Sequence, residues 1–224
     1  MNGIISAWCD ATAVQHTVVR RCVPVIVCLV LLMIMPTLLP AQSPAIILCL
    51  GDSLTAGYGV PTQDSWPTLL QNRLREQGYS HRVVNAGVSG DTTAGGVYRL
   101  DWLLRTPPTI AIVALGANDG LRGLNLQEMK HNLASLLDRL QQAGVRPILA
   151  GLRIPPNYGQ PYGEQFAAIY PELAREKQVP LIPFLLEQVA SRPDLNQEDA
   201  IHPNAAGYRQ VLENVWPVLQ PLLP

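Results

Sequence analysis

From residue 45 to the C-terminus, short apolar runs alternate with longer stretches whose apolar positions recur every three or four residues. The runs at 45–50, 82–85, 109–115, 147–152 and 179–184 read as five strands, being brief, rich in Ile, Leu and Val, and closed by Gly, Asn or Pro. Between them, Asp64 stands as the N-cap of a helix carrying Trp66, Leu69, Leu70 and Leu74, which Gly78 ends. Residues 93–105 are helical in pattern until Thr106-Pro107-Pro108. Residues 126–143 form the clearest amphipathic helix, with Met129, Leu133, Leu136, Leu137 and Leu140 on one face and Gly144 as its stop. A helix over 164–178 contains Pro171, which must start, kink or interrupt it. A short helix is expected at 185–190, and a last one from about Asn204 to Val215. Pro180 and Pro183 place the fifth strand near an edge. Strands alternating with helices predict an α/β chain: a three-layer α/β/α arrangement with a five-stranded parallel sheet covered on both faces.

Three of these strands end in loops of unusual chemistry: Gly51-Asp52-Ser53-Leu54, Ser89-Gly90-Asp91, and Gly116-Ala117-Asn118-Asp119. In an open parallel sheet, loops after the strands share the rim where ligands bind. Ser53 on that rim is either a helix cap or a nucleophile, and a nucleophile needs a base. Of the four histidines, His16 lies near the N-terminus. His81 opens a strand beside Arg82 and is expected in solvent. His131 sits off the apolar face of its helix. His202 has a carboxylate one helical turn back, Asp199, which can hold one ring nitrogen and leave the other free to take a proton. Asp199 and Pro203 equally well organise the entry to the last helix. Asn118 equally well makes a turn, and Gly90 a positive φ. Asp52, Asp91 and Asp119 compete for the acid role, but each adjoins a loop residue that it can tie down.

The first forty residues differ in kind. Arg20-Arg21 precede an apolar stretch from Val23 to Leu39, and Pro40-Ala41-Gln42-Ser43 follow. That order fits a secretory signal ending near Ala41, or an uncleaved membrane anchor, since roughly 17 apolar residues is the minimum span. The stretch before Arg20 is longer than an ordinary n-region, which leaves open a start downstream of Met1. Residues 1–41 are therefore expected to be a signal peptide or anchor, and 42–224 one domain. Cys9, Cys22 and Cys28 fall in or before this segment, leaving Cys49 alone, so neither an internal disulfide nor a Cys/His metal site is expected. The net charge of −1 carries no basic stripe for nucleic acid. Asp194, Asn196, Glu198 and Asp199 alternate like a calcium loop but lack its glycine, and Gly57-Tyr58-Gly59 lacks the lysine of a phosphate loop. No cofactor and no metal is expected.

The segments Gly51–Leu54, Asn85–Asp91, Gly116–Asp119 and Asp199–Pro203 resemble, in order, the four blocks of the SGNH (GDSL) hydrolase family. The likeness runs from about Ala45 to Pro217. It is nearest to the bacterial periplasmic thioesterase I/lysophospholipase/arylesterase branch, through Gly51–Tyr58, Asn118–Gly123, Pro156–Gly159 and Ile169–Pro171. The resemblance implies a flavodoxin-like fold, with Ser53 as nucleophile, His202 as base and Asp199 as its orienter. It implies an oxyanion hole from the Ser53 and Gly90 amides and the Asn118 side chain. It also implies a location in the periplasm; the N-terminal segment itself fits export to the periplasm or outside the cell, or anchoring to the inner membrane.

Apolar residues flank these blocks: Tyr58, Leu121, Leu124, Ile154, Pro155, Pro156 and Tyr158. Tyr58, Leu121, Ile154, Pro155 and Tyr158 are candidate contacts for an acyl chain or aromatic ester; the same residues can also simply pack the loops. The partner expected is a small ester, thioester or lysophospholipid, with no nucleic acid and with membrane contact only through the N-terminal segment, and the chain is expected to be a monomer. A polysaccharide acetylesterase and a non-catalytic acyl- or lipid-binding protein on the same fold are the competing readings.

Overall fold

The computed structural model describes residues 45–224. The expected signal or anchor at 1–41 lies outside the described residues. Five parallel strands form one sheet: β1 (Ile46–Gly51), β2 (Arg82–Gly87), β3 (Ile110–Ala114), β4 (Arg146–Ala150) and β5 (Leu181–Ile182), in the order β2-β1-β3-β4-β5. Among the described residues, seven α-helices connect and follow them: α1 (Ser53–Ala56), α2 (Trp66–Glu76), α3 (Thr93–Leu103), α4 (Ala117–Leu121), α5 (Leu126–Gln142), α6 (Gln160–Lys177) and α7 (Ala205–Leu219). Helices α2 and α7 pack together on one side, and α3, α5 and α6 pack in sequence on the other. The architecture is the expected three-layer α/β/α.

The strand order reverses between β1 and β3, and a crevice opens at the carboxyl edge of a sheet at such a point. The register explains why three distant loops meet there. Gly51 is level with Gly87 on one side and with Ala114 on the other. Ser53, Gly90 and Asn118 follow those three positions by only two to four residues. A side chain on Gly87 would collide with the Ala56 backbone, whose nitrogen lies 2.2 Å from where a Cβ would sit. Glycine there lets α1 lie across the end of β2.

β3 is buried at every position, and Trp66, Phe166, Tyr170 and Tyr208 fill the space between sheet and helices. Cys49 is buried in β1, and burial pushes its thiol well above the usual range, so it behaves as a small core hydrophobe. Among the described residues, no helix is long and apolar enough to cross a membrane, and no cluster of His, Cys, Asp or Glu is arranged to hold a metal.

Several local expectations are corrected. Asp64 does not cap α2; it ends a 3₁₀ turn at Thr62–Asp64, and Ser65 occupies the cap position. α6 begins at Gln160 and runs through Pro171, which sits on the exposed face while Ile169, Tyr170 and Leu173 hold the helix to the core. α7 likewise continues through Pro217. β5 keeps only two residues because Pro180 and Pro183 beside it have no N–H to donate. Residues 185–190 are turns rather than a helix. His81 is buried, not in solvent: its Nδ1 has no partner, and burial, helped by the Arg146 charge, holds its imidazole below the ordinary value.

Candidate active site

Ser53 is the first residue of α1, directly after the buried Asp52. Asp52 caps that helix by accepting the Leu54 N–H at 3.0 Å, so its carboxyl is turned into the protein. Burial pushes the Asp52 carboxyl up to about 6, against the pull of the Leu54 N–H and the His202 charge. The turn ends at Gly57, and Tyr58 follows as an exposed aromatic.

His202 reaches Ser53 from the other end of the chain. Its Nε2 lies 2.9 Å from Ser53 Oγ. Its Nδ1 lies 2.6 Å from Asp199 Oδ2. The other Asp199 oxygen accepts the backbone N–H groups of Ile201 and His202, both at 3.0 Å. Partial burial alone would raise the Asp199 carboxyl; the His202 and Ile201 N–H groups and the His202 ring outweigh it and hold the carboxyl below its ordinary value. Asp199 is thus an anion fixed on one imidazole nitrogen, which leaves the other facing the serine. The turn that arranges this needs Ala200 at φ 61°.

The loop is fastened to the Ser53 side by Gln197. Its Nε2 donates to Tyr58 O at 2.7 Å and to Pro203 O at 2.9 Å, while its own N–H donates to His202 O at 2.8 Å.

Gly90 adopts φ 80°, left-handed backbone that a non-glycine residue enters at a cost. Among the described residues, neither the Ser53 amide nor the Gly90 amide is engaged by another protein group. The Asn118 amide nitrogen donates to Asp91 O at 2.9 Å and to Asp52 Oδ2 at 3.3 Å. All three residues border one cavity with His202. Arg99 holds the loop from beneath: its guanidinium donates to Asp91 Oδ2 at 2.7 Å, Ala86 O at 2.6 Å and Gly51 O at 2.9 Å. Arg122 holds the same loop from outside through Gly90 O at 2.8 Å. Asp119 is buried and accepts both the N–H and the hydroxyl of Thr93, at 2.9 and 2.6 Å. Asp52, Asp91 and Asp119 are therefore all spent on structure, and Asp199 alone meets the histidine.

The cavity measures about 890 Å³. Of the five candidate substrate contacts, Tyr58, Leu121, Ile154 and Pro155 line it and Tyr158 does not. The Tyr158 hydroxyl instead donates to Leu121 O at 3.0 Å, which turns the side chain to bracing the neighbouring loop. The sequence reading missed the far wall: Phe184, Leu186 and the turns through Ser191 also line the cavity. Assigning a helix to 185–190 concealed it. The signal was present in Pro183 and Pro193, which bracket the segment and punctuate it as a loop.

A hydroxyl, an imidazole and a carboxylate in hydrogen-bonded series, facing free amides across an apolar cleft, can transfer an acyl group to the hydroxyl and on to water. A model of the GDSL-like lipase/acylhydrolase family matches residues 49–210. Esterase TesA of Pseudomonas aeruginosa is 44% identical over 178 residues, covering 79% of this chain and 89% of that protein. Thioesterase 1/protease 1/lysophospholipase L1 of Escherichia coli is 42% identical over 178 residues, 79% of this chain and 84% of that protein. The crystal structure of TesA superposes with a TM-score of 0.78 at 44% identity, over 80% of this chain and 99% of that one.

Proposed function

The chain belongs to the GDSL-like lipase/acylhydrolase family, and from that membership we propose how its residues hydrolyse carboxylic esters and thioesters. Ser53 Oγ attacks the acyl carbonyl as its proton passes to His202 Nε2. The charge that develops on the carbonyl oxygen is met by the Ser53 and Gly90 amides and the Asn118 side chain, whose longer bond to Asp52 gives way. Each such donor typically contributes ~2.7–4 kcal/mol in the transition state. Collapse breaks the bond to the leaving alkoxide or thiolate, which takes the proton from His202. Water then repeats the sequence on the acyl-enzyme and restores Ser53. Asp199 holds the imidazole tautomer with its proton on Nδ1 and stabilises the imidazolium that forms. Tyr58, Leu121, Ile154 and Pro155 shelter the acyl chain. No step requires a cofactor.

The observation that carries this reading is the unbroken series from Asp199 Oδ2 through the His202 ring to Ser53 Oγ, at 2.6 and 2.9 Å. Ser53→Ala should abolish hydrolysis of a short p-nitrophenyl ester while thermal unfolding stays cooperative; turnover like the wild type would reject the nucleophile. An acyl series on the same protein separates a preference for octanoyl esters, expected here, from the acetyl preference of a polysaccharide acetylesterase. We also propose that residues 1–41 direct export, as a cleaved signal or a retained anchor, on the basis of Arg20-Arg21 and the apolar stretch after them. N-terminal sequencing of the protein recovered from an exporting host tests this, and recovery only in the cytosol would contradict it.

A further inference from the structure

The acid and the base sit on a turn that the core barely holds. Glu198, Asp199, Ala200 and Ile201 are all exposed, so none of these four anchors it by burial. Ala200 at φ 61° adds left-handed backbone that a non-glycine residue enters at a cost. A short antiparallel bridge between Asn196 and Pro203 closes the neck of the turn. Within the neck Gln197 makes three bonds: its N–H donates to His202 O at 2.8 Å, its carbonyl accepts the Ala200 N–H at 3.0 Å, and its Nε2 donates to Pro203 O at 2.9 Å. The same Nε2 reaches out of the turn to Tyr58 O at 2.7 Å. Among the described residues, this is the one hydrogen bond between residues 53–60 and 194–204 besides that of His202 to Ser53 itself. Both partners of Nε2 are carbonyl oxygens, which fixes the amide with its nitrogen on them. Its oxygen then lies over Gly59, where a Cβ would fall 1.9 Å from Gln197 Oε1 and where φ is 77°. Gly59 thus leaves the room that the amide occupies.

We propose that Gln197 is a positioning residue for the acyl transfer: with Gly59 it clasps the turn carrying Asp199 and His202 to the turn carrying Ser53, and so sets the distance from His202 Nε2 to Ser53 Oγ. This rests on the serine-hydrolase reading above. Gln197 does not line the cavity, so it acts through its neighbours and not on the substrate. The bonds from Asp199 to His202 lie wholly within the turn and move with it. The tie to Tyr58 is what fixes the place of that pair relative to the nucleophile. Proton transfer from Oγ needs the two atoms within hydrogen-bond reach, and a misplacement of about 1 Å can cost on the order of a hundredfold in rate.

The test uses Gln197→Met, which keeps the length of the side chain and removes the donor, with p-nitrophenyl butyrate as substrate well below the unfolding midpoint of each variant. kcat should fall about tenfold while KM stays within about twofold of the wild type. The acid limb of kcat should keep its wild-type pH, because Asp199 still holds the imidazole. A role in stability alone would lower the unfolding midpoint and leave kcat of the folded protein as it was; a loss in kcat below about threefold overturns the proposal. Should Gln197→Met fail to fold, Gly59→Ala takes its place, since the new methyl pushes the same amide off its carbonyls: about a tenfold loss in kcat is expected there, and wild-type kcat overturns the clasp. Added to a folded Gln197→Met, Gly59→Ala should cost less than about threefold more, because the side chain that it displaces is gone; a second loss of about tenfold shows two independent effects and overturns the pairing. Ser53→Ala separates this proposal from the reading beneath it. An inactive Ser53→Ala beside a Gln197→Met of wild-type kcat overturns the clasp alone, and turnover retained in Ser53→Ala overturns both.

Discussion

The ring of Tyr58 rests against the imidazole of His202, with centroids 4.6 Å apart and planes inclined by 42°. Its backbone carbonyl is tied by Gln197 to the loop that carries the histidine. Tyr58 therefore does more than wall the cleft, because it limits the orientations open to the ring. Aromatic contacts of this kind contribute roughly 0.5–1.5 kcal/mol. Tyr58→Ala should lower kcat about two- to tenfold on a short p-nitrophenyl ester, and Tyr58→Phe should keep most of the rate. A change confined to KM in Tyr58→Ala would reduce the residue to a substrate contact.

Arg99 acts one layer further out, through the peptide planes that it grips. It fastens the ends of β1 and β2 and the Asp91 side chain at once. Asp91 O in turn takes the Asn118 amide. Arg99→Gln should cut kcat about ten- to a hundredfold with KM nearly unchanged, the signature of oxyanion donors held out of place. Stability should fall by less than the roughly 3–5 kcal/mol of a fully buried pair, because 17% of Arg99 and 12% of Asp91 stay accessible. Added guanidinium ion should restore part of kcat. Unaltered kcat in a destabilised Arg99→Gln would make the clamp purely structural.

Asp52 gives a prediction in pH. Its carboxyl is raised by burial from the ordinary 3.8 to about 6 in the folded protein, which corresponds to about 3 kcal/mol. A raised carboxyl keeps its proton in the fold after the unfolded chain has lost it. Its contribution is therefore fully present below about pH 4 and is lost as pH rises towards and past 6. Asp52→Asn keeps an acceptor for the Leu54 N–H and removes the ionisation. The stability of Asp52→Asn relative to the wild type should improve by about 2 kcal/mol between pH 4 and pH 7 in denaturant unfolding. A difference independent of pH would show that Asp52 ionises in the fold as it does in the open chain.

Much of this arrangement could be read from the chain itself. Brief continuous apolar runs and period-3.6 patterns together pointed to five strands in order, because each apolar run is too short for a helix and each helix has its own apolar face. The pairing of Asp199 with His202 was readable because both lie in one turn. The contact of that turn with Ser53, 149 positions away, was not a local property. It was reached by combining the rim rule for parallel sheets with the order of the four blocks. Side chains whose surroundings come from remote elements escaped: His81 looked like surface because its neighbours are polar, yet the core covers it. Arg99 carries no signal of its own within the helical pattern of 93–105, although two strand ends meet beneath it. The wall at 184–191 was hidden because turns after a short edge strand carry no periodic signal.

The central claim is that Ser53 Oγ is the atom acylated and that His202 activates it. Peptide mapping of the protein after brief exposure to a fluorophosphonate measures both halves in one experiment. A single adduct on Ser53, forming at least a hundredfold more slowly in His202→Ala, is the result expected from loss of the general base, whose contribution is on the order of 10²–10⁴. An adduct on another residue, or labelling of Ser53 at an undiminished rate in His202→Ala, would contradict it.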